Sequence, residues 1–147
     1  MSFHVPKVEN HKFYLDVAFS AAKKKQLAKR STLKMKDKLA KAKIIEYEKI
    51  EVINKELYKK LDSIVRSFPN FDGLTEFYQE LVKTLIDYKN LKKSLGAMNW
   101  ANKKIDEFSK SFKSKIRGST NKEVIRKLAT QYYGRISSVM KQINKNL

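Results

Sequence analysis

Apolar residues recur along this chain at the three- and four-residue steps of an amphipathic helix, and the pattern divides it into five segments. Phe13, Val17 and Ala21 fall at i, i+4 and i+8 within residues 9–29, ahead of a polar, lysine-rich stretch, and predict helix over the first three turns. Residues 33–67 carry the longest pattern, in which Ile50, Ile53, Leu57, Leu61, Ile64 and Phe68 follow one another by 3, 4, 4, 3 and 4 positions. Such a stripe faces a core. Residues 67–73 break it, because Pro69 disfavours helix at Phe68 and Asp72 suits an N-cap, so a helical hairpin turn is expected there. Leu74, Phe77, Leu81, Leu85 and Tyr88 form the next stripe, and Leu91, Leu95, Met98, Ile105, Phe108, Phe112 and Ile116 the one after, dividing near Asp87. Gly118 fits a C-terminal cap. Thr120-Asn121-Lys122-Glu123 then matches a capping box, opening a last helix with Leu128, Tyr132, Ile136, Val139, Ile143 and Leu147 inward.

Short connections between long amphipathic helices favour antiparallel neighbours, so the pattern predicts an all-α fold, an antiparallel up-and-down bundle of four main helices plus an N-terminal helix. Four glycines and two prolines in 147 residues leave too few tight turns for a sheet protein. A length of 147 residues with 41% hydrophobic positions is enough for one packed domain, 1–147. Gly96 and Gly134 lie inside helices, where each costs about 1 kcal/mol relative to alanine, and a close helix crossing is the expected compensation. The absence of cysteine excludes a disulfide framework, a cysteine-bearing zinc site and a thiol nucleophile, and fits an intracellular protein. No apolar run approaches a membrane span, and Met1-Ser2-Phe3-His4-Val5-Pro6 lacks the blocks of a signal peptide. Leu147 ends the chain on an apolar helical position with no cap signal, which favours an excised piece of a longer protein over a natural stand-alone copy, both readings staying open.

Charge changes the picture most. The chain has 33 Lys+Arg against 15 Asp+Glu, a formal net charge of +18, and the excess is concentrated. Residues 23–43 hold Lys23, Lys24, Lys25, Lys29, Arg30, Lys34, Lys36, Lys38, Lys41 and Lys43 against Asp37 alone. Residues 103–127 hold Lys103, Lys104, Lys110, Lys113, Lys115, Arg117, Lys122, Arg126 and Lys127 against Asp106, Glu107 and Glu123. Such clusters repel themselves and are relieved by a polyanion, whose condensed counterions are released on binding. An acidic membrane is a poor partner, since residues 23–43 offer only Leu27, Leu33, Met35 and Leu39 as bulky apolar residues opposite the lysines. No helix-turn-helix of the usual form, zinc finger or basic zipper appears, so RNA, read by shape and phosphate, is the expected partner. Charge density nominates Lys23, Lys24, Lys25, Lys29, Arg30, Lys34, Lys36 and Lys38 as RNA contacts, with Lys103, Lys104, Arg117 and Arg126 as a second patch.

Enzyme signatures are mostly absent from the sequence. His4 and His11 are the only histidines and read as surface residues, with no metal motif or nucleophile elbow beside them, and no Gly-x-x-x-x-Gly-Lys-Ser/Thr loop exists to cradle nucleotide phosphates. Neither a metal, a cofactor nor a small-molecule substrate is expected on this chain, which reads as a monomer. The seven tyrosines, among them Tyr14, Tyr47, Tyr58, Tyr78, Tyr88, Tyr132 and Tyr133, are expected to pack with their hydroxyls at the surface, and Trp100 to widen the core face of its helix. Two other readings stay open: a protein-interaction scaffold using the long helix of residues 33–67, and a nonspecific basic RNA-binding bundle.

The stretch Phe68-Pro69-Asn70-Phe71-Asp72-Gly73-Leu74-Thr75-Glu76-Phe77-Tyr78 resembles the Phe-Pro, Asp and Phe-Tyr signature in the N-terminal helical domain of the nucleolar GTP-binding proteins, the Nog-type relatives of the Obg GTPases. Asp87-Tyr88-Lys89 and Leu95-Gly96-Ala97-Met98-Asn99 resemble a downstream segment of that family, and Gly134-Arg135-Ile136 with Val139-Met140-Lys141 its last helix before the GTPase domain. Residues 9–67 agree in layout. The resemblance implies a factor of large ribosomal subunit biogenesis whose helical domain binds precursor ribosomal RNA, ribosomal proteins and other assembly factors of the immature subunit. It implies that the GTPase domain, with GTP and Mg, is absent from this chain. It also implies Phe68, Pro69, Asp72, Phe77, Tyr78, Leu95, Gly96, Asn99 and Gly134 as structural motif residues and adds Arg135 to the RNA contacts. Family members of this kind act in the cytoplasm of archaea and the nucleolus of eukaryotes, and the lysine-rich, shortened chain points to the former.

Overall fold

The computed structural model describes residues 8–32, 37–68, 75–85 and 88–147, and its regular elements are all helices. In chain order they are α1 (His11–Thr32), α2 (Lys38–Ser67), α3 (Glu76–Leu85), α4 (Tyr88–Arg117) and α5 (Lys122–Ile143), followed by one 3-10 turn, Asn144–Asn146. The all-helical expectation holds, and among the described residues no helix is long and apolar enough to cross a membrane.

Four helices, α1, α2, α4 and α5, close around one core, with α1 on α2, α2 on α4 and α4 on α5. Cross-links fix their directions: residue 41 meets 30, residue 43 meets 117, residue 54 meets 106, and Ser94 meets Asn146, so sequential partners run antiparallel. Ile50, Ile53, Leu57 and Leu61 of α2 are fully buried against Ile105 and Ile116 of α4 and Tyr132 and Ile136 of α5 within the same cluster. The stripes predicted for α2, α4 and α5 therefore face the core. Because that apolar face of α2 is occupied, it leaves no surface for a coiled-coil partner along it.

Helix starts and faces depart from expectation at particular residues. Asp37, extended in conformation, caps α2 by accepting from the amides of Leu39 and Ala40 at 3.0 and 3.2 Å, so the long helix begins at Lys38 rather than near residue 33. Asn121, not Thr120, caps α5, taking the Glu123 amide at 2.7 Å. The lysine-rich stretch after the first three turns of α1 is helical too, through Thr32. The buried face of α1 is Tyr14, Leu15, Ala18 and Ala22, while Phe13 is 46% exposed. Positions 13, 17, 21 and 14, 18, 22 have the same spacing and lie about 100° apart, and the small alanines of the second set are the ones that admit close packing on α2.

The roles of the N-terminal helix and α3 are exchanged relative to the predicted bundle. α1 is a full member, whereas Phe77 and Leu81 on α3 are 72% and 43% exposed and no described residue of α3 joins the core. Packing of α2 directly on α4 completes the ring without it. Gly96 and Gly134 mark no close crossing, because a Cβ added at either would meet nothing within 4 Å. Trp100 stands outside the core at 40% exposure, two residues and hence about 200° around α4 from buried Met98. The hairpin residues 69–74, including Pro69 and Asp72, lie outside the described residues, as do Lys34, Lys36, His4 and Asp87.

Candidate nucleic-acid interface

The antiparallel order brings four helix ends together at one pole of the bundle. There α1 and α4 finish and α2 and α5 begin, and two lysines tie the pole together: Lys41 Nζ donates to the Arg30 carbonyl at 3.3 Å and Lys43 Nζ to that of Arg117 at 2.9 Å. Each cation thereby meets the negative end of a helix. Beside them opens a cleft of about 340 Å³, with Arg30, Lys38, Lys41, Lys122 and Arg126 around Ala42, Ile45 and Ile125. Among the described residues lining it the one carboxylate is Glu46, already engaged 3.5 Å from Lys49 Nζ and 3.3 Å from the donating Tyr133 hydroxyl. Burial, and then that carboxylate, hold the Tyr133 phenol above the ordinary tyrosine range, so it stays protonated as the donor. Arg126 reaches Glu123 at 3.4 Å, an exposed pair that solvent screens.

This cleft is where the two basic clusters of the sequence meet. Arg30 and Lys38 come from the first, Arg126 from the second, and the first turns of α2 and α5 add the partial positive charge of their helix N-termini. A phosphate placed there would meet cations from three helices over an apolar floor. Lys41 and Lys122 complete the ring. Charge density alone did not single them out, but Asp37 and Asn121, the cap residues that start the two helices, place them within the opening turns.

The remaining predicted contacts disperse. Lys23 and Lys24 are exposed along α1, Lys25 is half-buried, and Lys29 stands 4.0 Å from Glu48 of α2. The Arg117 guanidinium lies over the Tyr47 ring at 5.6 Å, a ring also approached by Lys113 at 5.0 Å. Lys103 and Lys104 sit roughly 20 Å further down α4 by helical rise, so they do not join the pole. Lys104 pairs with Glu107 at 3.5 Å, and Lys103 lines a separate groove between α2 and α4. Arg135 is exposed on the flank of α5 opposite Arg126. Of the motif residues, Phe68 and Leu95 pack partly buried against the core, Phe77 and Tyr78 are exposed on α3, Gly96 and Gly134 are exposed, and Asn99 lines the groove with Lys103. His11 is half-buried at the start of α1, where its amide donates to Asn144 Oδ1 at 3.1 Å, and is not a free surface residue. Tyr132 is wholly buried, its hydroxyl 2.7 Å from that of Ser109, and burial raises its phenol above the ordinary range.

Fold and surface together define a strongly basic four-helix bundle with a short accessory helix and a cation-lined pole. The chain belongs to the family of the NOG1 N-terminal helical domain, whose model matches residues 3–147. The match covers the N-terminal portion as well as the segments from Phe68 onward. Similar proteins include an uncharacterized protein of Methanocaldococcus jannaschii, 29% identical over 109 residues that make up 74% of this chain and 31% of the relative. The nucleolar GTP-binding protein 1 of Encephalitozoon cuniculi is 26% identical over 109 residues, 74% of this chain and 21% of that protein. The probable nucleolar GTP-binding protein 1 of Dictyostelium discoideum is 27% identical over 92 residues, 63% of this chain and 14% of that protein. The chain thus spans less than a third of the length of these relatives.

Proposed function

We propose that this domain docks a ribosome-assembly GTPase onto precursor ribosomal RNA of the immature large subunit, and that the pole of the bundle is the surface that grips the RNA backbone. The observation that carries the reading is the convergence of Arg30, Lys38, Lys41, Lys122 and Arg126 on one cleft whose single acid among the described residues, Glu46, is already engaged. Such a ring suits phosphates of two closely spaced strands, and its affinity is mostly electrostatic. Specificity then comes from the shape of the RNA site and from neighbouring ribosomal proteins and assembly factors, because phosphate contacts carry no base information. The names of the two eukaryotic relatives support a GTP-binding protein of the nucleolus as the whole protein. In that protein the nucleotide domain would hold GTP and Mg and bias docking or release, while this chain binds as a non-catalytic monomer. In an archaeal cell the same step would take place in the cytoplasm.

Cosedimentation with immature large subunits over a salt series, beside mature small subunits, tests this. Retention on the large particle at salt that strips the small one, lost when Lys38, Lys122 and Arg126 are changed to Glu, is the expected result. Equal and salt-labile binding to both particles, or binding untouched by those changes, overturns it in favour of a nonspecific basic bundle or a protein scaffold.

A further inference from the structure

A second surface lies away from the pole, in the groove between α2 and α4, with a cavity volume of about 770 Å³. Successive turns of α2 contribute Asn54, Lys55, Tyr58 and Asp62, and α4 contributes Asn99, Asn102, Lys103 and Asp106. Three features of this groove are unusual. Tyr58 is 51% exposed, and its ring stacks on no other ring and carries no cation among the described residues. It also lines the adjoining hollow with Lys59 and Arg66, so the ring stands in the middle of a continuous trough. Second, Asn102 is only 7% exposed, yet its Oδ1 has no hydrogen-bond partner among the described residues. A buried amide oxygen left unpaired is costly, and a rotation of the Asn102 side chain toward the groove lets a donor arriving there relieve it.

The third feature is the balance of charge. Each carboxylate of the groove is matched by a cation: Asp106 with Lys110 at 2.9 Å, Glu51 with Lys113 at 3.4 Å, and Asp62 with Arg66 at 2.8 Å. Lys55 and Lys103, one on each wall, have no acid partner among the described residues. The unmatched charge of the groove is positive, which disfavours the basic tail of a protein and favours a phosphate.

An open aromatic face, a buried acceptor seeking an N–H, and two unmatched lysines on opposite walls are the elements that recognise a base and its phosphate together. We infer that the α2–α4 groove holds one unpaired RNA nucleotide, its base stacked on Tyr58 with a base N–H turned toward Asn102 Oδ1, and its phosphate between Lys55 and Lys103. The inference rests on the RNA reading above and adds to it a site that distinguishes unpaired from paired RNA, which the pole alone does not. It also gives Lys103 a role apart from the polar cluster, and Asn99 a place on the same wall.

The test uses the full chain and three short RNA duplexes of one sequence: without a bulge, with one bulged adenosine, and with an abasic residue in the bulge. The wild-type chain binds the adenosine-bulged duplex about tenfold more tightly than the other two, the size of one base stacked on an aromatic ring. Tyr58→Ala binds all three alike, Tyr58→Phe keeps the preference, and Lys103→Ala reduces it. Because Tyr58 is half outside the protein, its truncation leaves the melting curve unchanged by circular dichroism. Equal binding of the three duplexes by wild type, a preference that survives Tyr58→Ala, or an abasic bulge as good as the adenosine one overturns the inference while leaving backbone binding at the pole standing. Failure to bind any of the duplexes removes the RNA reading itself and this site with it. Tighter capture of an oligoarginine peptide than of the bulged RNA, lost in Tyr58→Ala, would reassign the groove to a basic protein tail.

Discussion

The C-terminal half of α4 and the pole of the bundle are both rich in cations but dispose of them differently. Along α4, Lys104 and Lys110 each have an acid within one helical turn, Glu107 at 3.5 Å and Asp106 at 2.9 Å, and Lys113 reaches Glu51 on the neighbouring helix. At the pole, Lys38 and Lys122 have no acid partner among the described residues, and the only carboxylate of the cleft belongs to Lys49 and Tyr133. A lysine one turn from an acid on its own helix has a counter-charge at hand before any partner arrives, as at the pole, among the described residues, only Arg126 has in Glu123, 3.4 Å away. Lys38 and Lys122 at the converging helix ends have none, and the N-terminal peptide dipoles add to their field. Counting charge along the sequence treats the two regions alike, and the arrangement of helix ends separates them.

The most forceful way to break this comparison is to reverse the pole. With Lys38, Lys122 and Arg126 changed to Glu, RNA affinity is expected to fall at least about 100-fold in moderate salt, and the slope of log K against log salt to flatten by roughly 3. Lys38 and Lys122 are the first residues of α2 and α5, where an acidic side chain is favoured by the helix dipole. Folding is therefore spared, and an unchanged melting temperature beside the lost binding, measured by fluorescence anisotropy, assigns the loss to the surface.

A second prediction separates helix stability from surface charge. Gly96 of α4 and Gly134 of α5 lie in helix interiors with open space where a Cβ would stand. Changing each to Ala should stabilise the domain by about 1 kcal/mol, read as a rise of a few degrees in the melting temperature. RNA binding should not change, since neither residue lines the pole. Loss of binding in a more stable variant would give these motif glycines a contact role that their open surroundings do not disclose.

What was legible in the sequence follows the same division. The α2 stripe from Ile50 to Ile64 could be read because a thirty-residue amphipathic helix has one apolar face and only the core can cover it. For α1 the same logic chose Phe13, Val17 and Ala21 over Tyr14, Ala18 and Ala22, since spacing cannot choose between two sets one residue apart. On α3, periodicity gives the direction of the apolar face but not whether a neighbour covers it, and Phe77 is exposed. The pole was half legible: Arg30, Lys38 and Arg126 were nominated, but that residues near 30 and 40 meet those near 120 depends on which helix ends coincide. The α2–α4 groove was least legible, because the isolation of Tyr58 and the unpaired Asn102 oxygen are properties of packing.

The acid-matched flank offers a smaller test. Changing Lys104 and Lys110 together to Ala removes as many cations as two of the three polar reversals touch, but these are cations already paired on exposed surface. RNA affinity is expected to stay within about threefold of wild type, since such pairs are worth little and neutralise each other at a distance. A loss as large as that from the pole would show that total charge, not its convergence, governs binding.

The smallest effect expected is also the most specific, because it turns part of the flank into something like the pole. The hydrogen bond from Lys110, with a further one from Asn54, holds the Asp106 carboxyl below its ordinary value of 3.8 against an opposing desolvation cost. A depressed folded pKa means that the ionised form favours the native state: its contribution is complete above the unfolded value near 4 and is lost as pH falls through the lower folded one. Wild type should therefore melt slightly higher than Asp106→Asn at pH 7, with the gap closing as the pH drops below about 4, and partial exposure of the pair keeps the gap small. The same substitution frees Lys110 at neutral pH. RNA affinity should then rise, by at most about twofold, where removal of a lysine from the pole lowers it. A fall in affinity on Asp106→Asn, measured beside the unchanged lysines, would mean that the flank binds RNA as an ordered network of paired charges, and that matching an acid to a lysine does not retire it from the surface.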